Sequence, residues 1–135
     1  MKSKGKKAEE KVKGLLEREF NQKFNKQKLI VGKKSNGEPI YKEFDLVSED
    51  SSIIVEVKSY KYGNNTTKSA GYTSTRKWRL IGACFYLEKA KPTNRKTKIE
   101  KRILALTNKK LHDIFSHDMD GLIDTRKIEI RYFPV

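Results

Sequence analysis

The sequence predicts one α/β domain, a mixed central sheet flanked by helices. Three strand-like runs follow closely on one another, Leu29–Val31, Ile40–Val47 and Ile53–Lys58, parted by polar turns. Apolar stripes at helical spacing precede and follow them. A further run, Arg102–Thr107, is almost wholly apolar, as a central strand covered on both faces is. At 135 residues the chain fits a single domain, 1–135, with no room for two.

The first element is a helix from about Lys6 to Phe24, because Val12, Leu15, Leu16 and Phe20 fall on one face. Glu9 continues that stripe, three residues before Val12 and seven before Leu16, whereas Glu10 points toward Lys13 and Glu17. The segment Gly32–Pro39 is turn chemistry centred on Asn36-Gly37. Ser48–Ser52 is a second polar turn, so the first three strands form an antiparallel meander. Ile53–Lys58 is the strongest strand, β-branched at Ile53, Ile54, Val55 and Val57. Residues 61–75 have no periodicity and read as a flexible loop. A second helix spans about Thr75 to Ala90, with Trp78, Ile81, Cys84 and Leu87 as its expected buried stripe and Pro92 beyond its end. The strand Arg102–Thr107, a short helix near Lys109–Phe115 and a last strand, Ile128–Val135, complete the order αβββαβαβ.

Charge narrows the function. The chain carries a net +14, and an excess of that size makes a polyanion the first partner to consider. Residues 1–35 carry +8 and residues 61–111 carry +12, while residues 36–60 between them carry −4. An acidic island framed by basic flanks reads either as a solvated hairpin or as a carboxylate cluster that holds a metal beside bound phosphate. The apolar run Leu80–Leu87 is too short to span a bilayer, and Ala8-Glu9-Glu10-Lys11 stands where a signal peptide's apolar region would be. The chain therefore reads as soluble and intracellular, with no membrane partner. Cys84 alone excludes a disulfide framework and a Cys-rich zinc site. His112 and His117 lack zincin spacing, and Ser116 and Lys127 stand where a calcium loop around Asp118 needs ligands.

Spacing within the island favours the cluster. Glu56 and Lys58 project from one face of their strand, Val55 and Val57 from the other. With a four-residue turn over Glu49–Ser52, Asp45 lies across from Glu56, Cβ atoms roughly 5 Å apart. Two carboxylates so close repel unless a cation lies between them, and Mg²⁺ suits a site of one or two carboxylates that also meets phosphate oxygens. Lys58 then stands where an ammonium orients a water and offsets charge in a phosphoryl transition state.

Asp45 followed by Glu56-Val57-Lys58 resembles the D…(D/E)xK signature of the PD-(D/E)XK nuclease superfamily, and the αβββαβ order is similar to its restriction-endonuclease-like core. Gly5-Lys6-Lys7-Ala8-Glu9 with Val12, Leu15 and Leu16 is similar to the first helix of archaeal Holliday junction resolvases, as Phe44-Asp45-Leu46-Val47 is to their Asp-bearing strand. Phe44 stands where the superfamily's named proline would be, and the Gly32–Pro39 hairpin lengthens the path to Asp45. The resemblance covers about two thirds of the chain. It implies a Mg²⁺-dependent DNA endonuclease, with Mn²⁺ as substitute, ligated by Asp45, Glu56 and the Val57 carbonyl. Lys58 would be the catalytic lysine and Glu9 an outer or second-metal carboxylate, with Glu10 the alternative if the helix phase is off by one. A homodimer is implied too, with the last strand and the region near Phe115 as candidate interfaces.

The expected DNA contacts are Lys4, Lys6, Lys7, Lys33 and Lys34 on one flank, and Lys61, Lys68, Tyr72, Arg76 and Lys77 on the other. Branched junctions, nicked or flapped duplexes and plain duplexes all remain open as substrates. The alternative function is a non-catalytic nucleic-acid-binding module on the same fold, which explains the charge but not the convergence of Glu9, Asp45 and Glu56.

Overall fold

A computed structural model of the chain describes residues 4–60, 73–92 and 96–135. The elements run α1 (Lys4–Phe20), β1 (Phe24–Lys33), β2 (Pro39–Ser48), β3 (Ile53–Lys58), α2 (Ser74–Lys89), β4 (Lys101–Leu106), α3 (Lys109–Met119) and β5 (Glu129–Tyr132). The αβββαβαβ order is therefore the one the sequence predicts. One five-stranded sheet has the order β1-β2-β3-β4-β5. The first three strands pair antiparallel, and β3-β4 and β4-β5 pair parallel.

Both faces of the sheet are covered. Val12 and Leu16 of α1 pack with Leu46, Val55, Ile103 and Ala105 on one face. Leu80, Cys84 and Leu87 of α2, with Leu111 and Phe115 of α3, pack on the other against Phe44, Val47, Ile54, Leu104 and Leu106. The central strand is β3 rather than the expected β4, but β4 feeds both cores by alternation, which explains its unbroken apolar run. Among the described residues no helix is long and apolar enough to cross a membrane.

Several boundaries and faces differ from expectation. The first helix stops at Phe20 because Asn21 adopts a left-handed φ of 53°, and Phe24 opens β1 with its N–H donating to the Glu17 carboxylate at 2.9 Å. Trp78 is not in the core: it is 67 % exposed, and Leu80, Ala83, Cys84 and Leu87 form the buried face of α2 instead. The expected phase took the largest apolar residue as the anchor, whereas Leu80, Ala83, Cys84 and Leu87 together make a complete inner stripe without it. Phe115 is fully buried, so its side chain offers no surface for self-association.

Two turns set the position of the candidate site. Asn36 Oδ1 accepts the Glu38 N–H, and Gly37 takes a φ of 92°, closing the β1-β2 hairpin as the Asn-Gly pair predicts. The β2-β3 turn is organised by Asp50, whose Oδ1 accepts from the Ser52 N–H and from the hydroxyls of Ser48 and Ser52. Those bonds, the Ser52 hydroxyl foremost, hold the Asp50 carboxyl below its ordinary range. The turn fixes the register Leu46 opposite Val55 and Val47 opposite Ile54.

Candidate active site at the β2-β3 split

The pairing of β2 with β3 ends at Leu46–Val55, although β3 continues to Lys58 beside β4. Beyond that point side chains replace the ladder. The Asp45 N–H donates to Glu56 Oε1 at 2.9 Å, and the Val57 N–H donates to Asp45 Oδ2 at 2.9 Å. Each carboxylate is thus oriented by the backbone of the opposite strand, in the register the sequence predicts.

A β-bulge aims Asp45. Between the pairs Asn25–Val47 and Gln27–Phe44, β1 contributes one intervening residue and β2 contributes two, Asp45 and Leu46. The extra residue breaks alternation: Phe44 joins the core beneath α2, whereas Leu46 joins the core beneath α1. Simple alternation would send Asp45, Glu56 and Lys58 to one face. Instead Asp45 lines a cleft of about 260 Å³ on the α1 side with Glu9, Glu10, Lys13 and Lys26. Glu56 and Lys58 line one of about 250 Å³ on the α2 side with Lys42, Arg79 and Tyr86. The reciprocal bonds join the two clefts across the split.

The electrostatics follow from this placement. Glu56 is the one buried acidic or basic side chain among the described residues, 3 % exposed. Burial, and then the negative charge of Asp45, pushes its carboxyl above the ordinary range. Glu9 is raised for the same reasons in the same order, burial first and Asp45 second. Asp45 therefore acts on both of the other carboxylates.

Two lysines that sequence reasoning did not select answer these charges. Lys42 Nζ lies 3.4 Å from Glu56 Oε2 and 5.2 Å from the centre of the Phe44 ring. Lys26 Nζ lies 3.6 Å from Glu9 Oε1. Lys42 was not legible because the bulge decides which face of β2 it reaches, and Lys26 because the expected helix ran to Phe24 and the expected first strand began only at Leu29. The one available signal is in Phe44-Asp45-Leu46-Val47: three buried apolar residues around a single polar one cannot alternate regularly.

No protein-family model, curated protein or solved structure matches this chain. The site is therefore read from its own geometry.

Of the expected site residues, Glu9, Asp45, Glu56, Val57 and Lys58 all reach the split or its two clefts. Glu10 lines the Glu9 cleft but is exposed. Among the described residues no group of three or more His, Cys, Asp or Glu side chains lies close enough together to hold a metal ion by itself. The two carboxylates, each oriented by a backbone amide, fit a hard cation bound by few protein ligands, and the Lys42 ammonium stands against Glu56 where such a cation would replace it.

The expected DNA contacts that the structure describes lie on α1, the β1-β2 hairpin and α2. Lys6 and Lys7 are exposed near the start of α1, where Lys4 is the first helical residue, and Lys33 and Lys34 are exposed at the tip of the hairpin. Arg76 stacks over the Tyr60 ring at 5.1 Å, and Lys77 pairs with Asp118 at 3.8 Å. Lys61, Lys68 and Tyr72 lie outside the described residues.

Proposed function

We propose that the protein is a metal-dependent endonuclease hydrolysing phosphodiester bonds of DNA, built on a PD-(D/E)XK-like core. The observation that carries this reading is the β2-β3 split. A regular antiparallel pair is interrupted there by two mutually oriented carboxylates, one of them buried and disfavoured as an anion. Such an arrangement is costly in a structural role and useful around a divalent cation.

Asp45, Glu56 and the Val57 carbonyl would hold Mg²⁺ or Mn²⁺. When bound, the ion supplies Lewis-acid polarisation of a phosphoryl oxygen and lowers the pKa of a water. The chain's own contribution begins with Lys58, which shares the Glu56 cleft and places an ammonium where negative charge grows in the transition state. The bond of Asp45 to the Val57 amide keeps its carboxylate from rotating away. Glu9 adds a third carboxylate on the Asp45 side, suited to orienting a water in the ion's outer sphere. The exposed lysines of α1 and the β1-β2 hairpin would hold the backbone phosphates, with branched, flapped and plain duplexes as the substrate classes to compare.

The test is incubation of the protein with supercoiled plasmid and with a four-way junction, in Mg²⁺ and in EDTA. Nicking or resolution only with the metal is expected. Tight, salt-sensitive binding without cutting under any divalent metal would favour the non-catalytic binding module instead.

A further inference from the structure

The helix α2 is apolar on two opposite sides. Leu80, Ala83, Cys84 and Leu87 face the core. Trp78, Gly82, Phe85 and Lys89 fall within roughly a 60° arc on the other side, at 3.6 residues per turn. Trp78 is 67 % and Phe85 55 % exposed, and Tyr86 beside them is exposed as well. An amphipathic helix needs only one apolar stripe to dock, so the outer one is unexplained by folding.

We infer that this outer stripe is a stacking surface for unpaired nucleotides, leading a single strand into the carboxylate site; the inference rests on the nucleic-acid reading above. Cations accompany the rings. Lys89 Nζ lies 5.6 Å from the centre of the Phe85 ring, Lys42 Nζ lies 5.9 Å from that of Tyr86, and Arg79 is exposed one residue after Trp78. Aromatic faces interleaved with basic side chains suit successive bases and phosphates of a single strand. The surface is also continuous with the site, since Arg79, Gly82 and Tyr86 line the cleft that holds Glu56 and Lys58. Gly82 leaves open space where a Cβ would stand, a gap in the ridge between Trp78 and Phe85.

Charge selects the occupant. The helix carries Arg76, Lys77, Arg79 and Lys89 against Glu88 alone, in a chain of net +14. A second copy docked on this face would bring like charges together, whereas a single strand neutralises them.

Trp78 is the only tryptophan in the chain, so its emission reports on the stripe alone. The protein is titrated in EDTA and low salt with an oligothymidylate strand and with a blunt duplex, while anisotropy of labelled DNA follows binding. Quenching by the single strand, little quenching by the duplex, and a loss of about tenfold or more in single-strand affinity for Trp78→Ala and for Phe85→Ala are expected. Unchanged emission at saturating single strand overturns the inference, as does a protein-concentration-dependent blue shift without DNA, which would assign the stripe to a second copy. Because no metal is present, quenching does not depend on catalysis: a protein that stacks but never cuts refutes the endonuclease and keeps the surface, and one that cuts without quenching does the reverse.

Discussion

The strand β3 has two unlike neighbours. Against β4 it pairs over its full length, Ile53–Lys58 beside Lys101–Leu106, and nearly every residue facing a core is apolar. Against β2 it pairs at two positions, after which Asp45 and Glu56 occupy the ladder's place. The β4 side is built for stability, with complete backbone pairing and apolar alternation onto two cores. The β2 side gives up backbone pairing to hold two carboxylates near each other. The difference puts the proposed site where regular structure is interrupted on a strand that is otherwise ideal.

The largest effect expected from breaking this contrast is on the stable side. Leu104→Ala removes a fully buried side chain from β4 and should cost about 2–5 kcal/mol in chemical or thermal unfolding. Any residual activity should scale with the folded fraction. On the other side, Lys58→Ala should reduce cleavage about a hundredfold or more while leaving the unfolding midpoint nearly unchanged. Glu9→Ala should impair cleavage more than Glu10→Ala, since Glu9 is partly buried and coupled to Asp45 while Glu10 is exposed. Equal rates in the two helix variants would remove Glu9 from the mechanism.

A further expectation concerns pH. The Glu56 carboxyl is raised above its ordinary value of 4.5, so between that value and the raised one the native state binds more protons than the unfolded chain. This residue's contribution to stability must then fall as pH rises through that window. Its cost is fully present above the window and absent below it. In metal-free buffer Glu56→Gln should unfold at a higher temperature than the parent at pH 8, with the gap closing as pH falls toward 4.5. Thermal melts across that range check it, and a parent that is the more stable at pH 8 would contradict it.

The smallest effect concerns Lys42. Its ammonium lies against Glu56 where a divalent cation would compete for the same charge. Lys42→Ala should tighten Mg²⁺ binding to the DNA-free protein by about fivefold, the scale of one partly exposed ion pair. Calorimetry on both proteins reads the difference directly.

Much of this was legible in the sequence because it follows from short-range rules. The β-branched run Ile53–Val57 and the Asn36-Gly37 turn gave the first strands and their order, and the Glu49–Ser52 turn gave the Asp45–Glu56 register. What was not legible depends on irregularity or on three-dimensional choice. The bulge at Asp45-Leu46 splits the site residues between two clefts, and no local propensity announces an extra residue in a strand. Lys42 partners Glu56 only because of that shift, whereas Lys26 reaches Glu9 from β1, which begins at Phe24 rather than at the expected Leu29. Trp78 misled because hydrophobicity argues for burial, while the inner stripe of α2 was already complete.

The most direct test of the central claim compares the parent protein with Asp45→Asn and Glu56→Gln on one DNA substrate, in Mg²⁺ and in EDTA, with DNA affinity measured alongside. Cleavage by the parent in Mg²⁺ alone, lost about a hundredfold or more in each variant while affinity stays within a few-fold, is the expected result. Full cleavage by Glu56→Gln, or no cleavage by the folded, DNA-bound parent with any divalent metal, would contradict it.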